Sequence, residues 1–147
     1  MKTVRRFYGV NDELGELSNF AAFPIVLDGE RWPTVEHYFQ AQKFEDPQHR
    51  ARIRTARTPM LAAQQGRDRT KKLRKDWESV KVGVMRAAVL AKFTQHAELR
   101  ALLLATGDDK LVEHTDADDF WGDGGDGRGK NMLGRILMEV RESLRAQ

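Results

Sequence analysis

Apolar residues recur along this chain with two different periods. Over residues 77–93 they fall at helical spacing, at Trp77, Val80, Val84, Met85, Ala88 and Ala91. From 131 to about 146 the same spacing returns, with Leu133, Ile136, Leu137, Val140 and Leu144 on one face. A third helix carries Leu99, Leu102 and Leu103, with Thr94 as its cap and Gly107 at its end. Short apolar runs predict strands over 4–8, 24–27, 30–32 and 110–114. Asp28-Gly29, between the second and third runs, is the strongest hairpin signal in the sequence.

The densest feature is Trp32-Pro33-Thr34-Val35-Glu36-His37-Tyr38-Phe39-Gln40-Ala41-Gln42-Lys43-Phe44, which holds four of the twelve aromatic residues. Pro33 biases Trp32 toward extended backbone. Thr34 then reads as the cap of a helix over 35–44. Helical spacing puts Glu36, Gln40 and Lys43 on one face and His37, Ala41 and Phe44 on a second, with Tyr38 and Phe39 on a third. Aromatics on several sides predict a mostly buried helix. Glu36 would then be a carboxylate in the first turn of a buried helix, its pKa raised by desolvation and lowered by the helix dipole. Two readings follow: a general acid/base, or a charge that only complements the dipole.

Asp46-Pro47 stops that helix. A short basic helix follows over 49–56. Another begins at Thr58-Pro59, with Gly66 expected as its C-cap. Residues 67–75 carry Arg67, Arg69, Lys71, Lys72, Arg74 and Lys75. Such a run is either a solvated surface segment or a path for a polyanion. No repeat, linker or shift in composition interrupts the chain. The expectation is one compact α+β domain over 1–147, predominantly helical with a few short strands.

Composition narrows the function classes. The 147 residues suffice for a real core. A net charge of +3 suits anionic partners such as phosphates but is too small to argue for nucleic-acid binding. No cysteine is present, which removes disulfides, thiol chemistry and thiolate metal sites. No apolar segment follows the first residues, and no run approaches a membrane span, so a cytoplasmic protein without membrane association is expected.

Residues 121–131 hold five of the twelve glycines and open onto a helix start beside Arg128 and Lys130. Backbone N–H groups and the helix dipole can bind an anion in such a place; a mobile surface loop is the plain alternative. The phosphate-loop pattern fails, because Asn131 replaces the hydroxyl residue and no apolar strand precedes the glycines. Asp116, Asp118, Asp119, Asp123 and Asp126 lack the spacing of a calcium loop. His37, His49, His96 and His114 lack zinc spacing, so no metal is expected. Ser18 has no nucleophile context and reads as a cap or turn residue. Trp32, Trp77 and Trp121 are core residues or stacking surfaces for a flat heterocycle.

Taken together, the segments 15–20 and 32–44, Thr58-Pro59 with Gly66-Arg67, Trp77 with Lys81 and Met85, Lys92-Phe93, and the segments 99–107, 111–113, 118–122 and 129–141 resemble the NADAR family over nearly the whole chain. The resemblance implies hydrolysis of the bond between ribose C1 and a heterocycle nitrogen. In one branch the substrates are early phosphoribosylamino-pyrimidines of riboflavin biosynthesis; other branches remove ADP-ribose from guanine in nucleic acid. A non-catalytic NAD or ADP-ribose binder is the remaining alternative. The family's key positions fall on Glu36, Trp77, Asp118 and Trp121, with Asp119 adjoining Asp118. Glu36 would activate water or offset positive charge on the ribose, and Asp118 would protonate the departing base. Trp77 and Trp121 would hold the ring. Gly122, Arg128, Gly129 and Lys130 would hold the phosphate, and Asn19, Lys43 and Asn131 would contact ribose or phosphate. No cofactor is implied. The expected partner is a small phosphorylated nucleoside-like substrate, with ADP-ribosylated nucleic acid as the alternative. The oligomeric state is open.

Overall fold

The computed structural model describes residues 3–147. Among these, six helices outweigh four short strands, an α+β arrangement as anticipated. The backbone divides into two compact units. One is Ala22–Lys92; the other joins the chain up to Ala21 with Phe93–Gln147. No linker marks the division, because one crossing falls between two alanines and the other inside a helix.

β1 (Val4–Phe7) belongs to the other half, so in the continuous unit the first element is the hairpin of β2 (Ile25–Leu27) and β3 (Glu30–Trp32), paired antiparallel with Ile25 opposite Trp32. Asp28 and Gly29 both take positive φ, 55° and 79°, the conformation a two-residue primed turn demands. The Tyr38 hydroxyl donates to Asp28 Oδ2 at 2.8 Å and ties the turn to the next helix. That helix, α1 (Val35–Ala41), starts where Thr34, in extended backbone, accepts the His37 N–H on its side chain. All seven of its residues are buried. It ends earlier than periodicity predicts. Phe44 instead forms a bridge with Leu73, and the Arg74 N–H donates to the Lys43 carbonyl at 2.8 Å. Those pairings draw residues 43–44 out of the helical path.

Two capped helices pack on α1. The Asp46 side chain caps α2 (Pro47–Arg54), and the Thr58 side chain caps α3 (Pro59–Gly66). Gly66 is not the cap. It is the last residue of α3, and Arg67 caps the helix in ordinary right-handed backbone. A Cβ at Gly66 would overlap the Gln40 side chain, so this glycine allows close approach rather than a left-handed turn. The long α4 (Trp77–Gln95) begins in this unit.

In the other unit, β1 (Val4–Phe7) lies parallel to β4 (Lys110–Glu113), with Val4 opposite Lys110. A single 3-10 turn covers Gly15–Leu17. Next comes α5 (Ala97–Ala105), capped at His96 rather than Thr94, since α4 continues through Thr94. The closing α6 (Met132–Arg145) buries Leu133, Ile136, Leu137, Val140 and Leu144, all five predicted positions. Each contributes about 1.5–3 kcal/mol of gross burial energy. Arg141 is buried beside them, donating to Thr106 Oγ1 and the Asp109 carbonyl at 2.9 Å each. Among the described residues no helix is long and apolar enough to cross a membrane.

Candidate active site

In the continuous unit, Glu36 and Gln40 share a face of α1 as their spacing implies, while Lys43, expected on the same face, lies in the turn after the helix. Glu36 is the second residue of α1 and is buried. One turn on, Gln40 Nε2 donates to Glu36 Oε2 at 2.8 Å. Beside them Phe39 meets Trp77 with ring centroids 5.1 Å apart and planes tilted 59°. Trp77 is itself buried at the start of α4. The Lys43 ammonium lies 5.8 Å from the Phe39 ring centroid. Burial pushes the Lys43 pKa down to about 8, and the positive charges of Arg69, Arg67 and Lys81 push the same way against Glu36. Lys81 also pairs with Glu78 at 2.7 Å. The result is a buried carboxylate hydrogen-bonded by Gln40, whose charge acts on Lys43 alongside those of Arg69, Arg67 and Lys81.

Trp32 stands apart from this chemistry. Its indole N–H donates to the Leu27 carbonyl at 3.2 Å and its ring meets the edge of Tyr38, which makes it a core residue. The basic run 67–75 borders a cavity of about 720 Å³, but Glu45, Asp46 and Asp76 line it as well. Arg74 is engaged by Asp76 at 2.6 Å. Cations and carboxylates thus share the lining of that cavity.

The remaining expected residues lie in the other unit. Asn19 is buried there. Asp118 and its neighbour separate cleanly. Asp118 is half-buried, and its Oδ1 accepts the Phe120 and Trp121 N–H groups at 2.9 and 2.8 Å. Asp119 is exposed and lends its carbonyl to the Lys130 N–H. Asp118 thus builds the turn that presents Trp121, a half-buried indole edge-on to Phe120 at 4.9 Å.

The glycine-rich stretch differs from expectation in how it uses its backbone. The N–H groups of Asn131, Met132 and Leu133, at the start of α6, donate to the carbonyls of Gly122, Phe120 and Trp121. Those of Asp123, Gly124, Gly125, Arg128, Gly129 and Lys130 are also engaged within the unit. The positive end of α6 is therefore capped by the chain and is not open to an anion. Gly122 and Gly129 have a packing reason as well: a Cβ on Gly129 would meet the Asp123 carbonyl carbon at 2.5 Å, and one on Gly122 the Thr115 methyl at 2.7 Å. Asn131 takes positive φ, accepts the Glu113 N–H and donates to the Leu111 carbonyl, so its amide locks β4 to α6. What this loop exposes is side-chain charge. Arg128 is exposed and loosely paired with Asp126 at 3.8 Å, and the exposed Lys130 sits 5.6 Å from the Phe120 ring centroid. With Asp119, Phe120, Gly124, Asp126 and Gly129 they line a cavity of about 340 Å³.

Asp123 is the residue that spacing alone did not single out. It is buried, and its carboxylate accepts from the Thr115 and Gly125 N–H groups at 3.0 and 2.9 Å and from His114 Nδ1 at 2.7 Å. Burial works to raise its pKa, but these donors outweigh it and hold the carboxyl below the usual range. Among the described residues no three His, Asp or Glu side chains gather as a metal site.

Known proteins resemble this chain over its length. It is 63% identical over 142 residues to "N-glycosidase YbiA" of Escherichia coli strain K12, covering 97% of this chain and 89% of that protein. A Nostoc punctiforme N-glycosidase is 48% identical, covering 95% and 91%. A Zea mays protein named as a chloroplastic riboflavin biosynthesis protein is 42% identical over a segment covering 94% of this chain and 25% of that protein. The NMR structure of the E. coli protein YbiA superposes with a TM-score of 0.92 at 62% identity, covering 99% of this chain and 88% of that one. The family model described as the NADAR domain matches residues 6–145. Nearly the whole chain is accounted for by that match, and the chain belongs to the NADAR family.

Proposed function

We propose that this protein is a cytoplasmic N-glycosidase that hydrolyses the N-ribosyl bond of early phosphoribosylamino-pyrimidine intermediates of riboflavin biosynthesis. Water is the co-substrate, and the products are ribose 5-phosphate and the free pyrimidine. The observation that carries the reading is Glu36, a buried carboxylate fixed by a hydrogen bond 2.8 Å long, on the helix that carries Phe39, whose ring meets Trp77, and with its charge acting on Lys43. The names of relatives up to 63% identical support the same reaction class.

Breaking an N-ribosyl bond builds positive charge on the ribose ring, as in glycoside hydrolysis. Glu36, ionised, offsets that charge or draws a proton from the attacking water. Trp77 offers a ring face to the pyrimidine, and Lys43 offers a cation to the ribose or its phosphate. In the other unit, Asp118 is proposed to protonate the departing base and Trp121 to hold it. Arg128 and Lys130 are proposed to take the phosphate through their side chains. The deciding assay incubates the protein separately with the two early riboflavin intermediates and with ADP-ribosylated DNA, following release of ribose 5-phosphate and ADP-ribose. Release of ribose 5-phosphate is the expected result. Release of ADP-ribose alone assigns the chain to guanine deribosylation, and no release from either leaves a ligand-binding protein.

A further inference from the structure

We infer that Gln40 and Gly66 are positioning residues for Glu36, acting as a pair: the Gln40 amide holds the Glu36 carboxylate, and the missing side chain at Gly66 is what leaves room for that amide. This rests on the reading of Glu36 as the acting carboxylate.

Three observations carry it. The first is the bond itself. Gln40 Nε2 donates to Glu36 Oε2 at 2.8 Å with both residues buried. A carboxylate can only accept, so the amide has a single sensible orientation, nitrogen toward Glu36. The second is its cost. In that orientation Gln40 Oε1 is buried with no hydrogen-bond partner among the described residues. Buried acceptors are almost always satisfied, and an orphan points to a demand placed on the other end of the group. An apolar residue at this position would avoid the cost, so core packing does not account for glutamine here. The third is steric. A Cβ at Gly66 would overlap Gln40 Oε1 and lie 3.1 Å from Gln40 Cβ. With a Cβ at position 66 the Gln40 amide would have to shift, and it cannot shift far without leaving Glu36. Gly66 sits in helix α3 without positive φ, where alanine would be the better helix former. Its glycine is therefore costly locally and is explained by the amide it faces.

The donor does two things for a carboxylate that acts ionised. It fixes which oxygen faces the reacting centre, and it favours the charged form. Misplacing a reacting group by about 1 Å can cost roughly a hundredfold in rate.

The test compares wild type with Glu36→Gln, Gln40→Met, Gln40→Ala, Gly66→Ala and the Gln40→Ala/Gly66→Ala double variant. Ribose 5-phosphate release from the riboflavin intermediate gives kcat, KM and the pH profile of kcat, and thermal melts run alongside. Gln40→Met fills the same space without the donor or the orphan acceptor. It is expected to lose roughly ten- to a hundredfold in kcat with KM little changed, to keep or raise its Tm, and to move the acidic limb of the profile to higher pH. Gly66→Ala is expected to lose a similar factor in the wild-type background. In the Gln40→Ala background the same change should cost no further kcat and should raise Tm. Wild-type kcat in Gln40→Met, an unmoved acidic limb, or an equal kcat loss from Gly66→Ala in both backgrounds overturns the pairing. Glu36→Gln separates the two levels: if it is inactive while Gln40→Met is normal, the positioning inference alone fails, and if it is fully active, the reading of Glu36 fails with it.

Discussion

At the scale of single residues, Glu36 and Lys43 give the sharpest expectations. Glu36→Gln preserves shape and removes the charge. It should lower turnover by at least about two orders of magnitude, the scale of a general acid/base contribution, with a melting temperature near that of wild type. Lys43 is a reporter for the same place. Its pKa of about 8 is the outcome of burial and of Arg69, Arg67 and Lys81 lowering it while Glu36 raises it. Removing the Glu36 charge should therefore push Lys43 below about 8, and Arg69→Ala should move it up. Titration of the isotopically dimethylated lysine by NMR measures both directions, and a value unmoved by Glu36→Gln would show the two charges to be uncoupled. Glu36 and Gln40 are legible because they lie one turn apart on α1; Lys43, expected on the same face, lies in the turn beyond the helix, where the Glu36 charge still acts on it. Gln40 was legible as their neighbour but not as the bearer of an orphan acceptor. That property depends on α3, whose approach no local spacing encodes. Asp123 was hidden for the same reason: among five nearby aspartates, the three donors around one carboxylate single it out.

At the scale of elements, local chemistry wrote most of what was predicted. Thr34 and Thr58 cap the helices that follow them, and Asp28-Gly29 makes the hairpin, because each acts within four residues; Asp46, read only as the stop of the preceding helix, instead caps α2, which starts two residues before the expected 49. The end of α1 was not local. It is fixed by the Phe44–Leu73 bridge across the fold. The same helix carries a pH dependence. His37 is buried, with Nε2 on the Ala56 carbonyl at 3.0 Å and Nδ1 on Thr34 Oγ1 at 2.8 Å, and burial lowers its pKa despite the Ala56 contact. A histidine held neutral in the fold has a pKa below its unfolded value of about 6.5. Between the two values the unfolded chain binds more protons, so the stability is present above about pH 6.5 and is lost as pH falls. Melting temperatures from about pH 7.5 down to 5.5 should drop more steeply for wild type than for His37→Gln. Parallel slopes would take the pH dependence away from α1.

At the scale of the whole molecule, the open question is where a substrate phosphate is held. The N-terminus of α6 looked suited from sequence, since glycines, Arg128, Lys130 and a helix start occur together. The carbonyls of residues 120–122 fill that position instead. If the phosphate binds by this loop, it does so through two exposed side chains, so the Arg128→Ala/Lys130→Ala variant should remove most of the discrimination between nucleotide and dephosphorylated nucleoside. A change of about tenfold in kcat/KM for the nucleotide, with kcat falling as well as KM rising, is the expected size for a remote binding group used to position the reaction. An unchanged preference for the nucleotide in that variant would move the phosphate to other cations, of which the group around Lys43 is the nearest in character.

The parallel pairing of β1 with β4 sets an order in time. β1 leaves the ribosome about a hundred residues before its partner, which begins at Lys110. At about 5–20 residues per second, translation leaves β1 waiting roughly five to twenty seconds. Throughout that interval it is an unpaired edge, the kind of segment that recruits strands from neighbouring nascent chains. Its sequence, Val4-Arg5-Arg6-Phe7, puts two guanidinium charges in the middle of the four residues. Like charges repel a second copy of the same strand, and Arg5 later finds Asp109 at 3.4 Å, beside the partner strand. If these charges guard the strand during synthesis, replacing Arg5 and Arg6 with valine should raise co-translational aggregation, measured as insoluble nascent protein, well before it lowers the melting temperature of the finished fold.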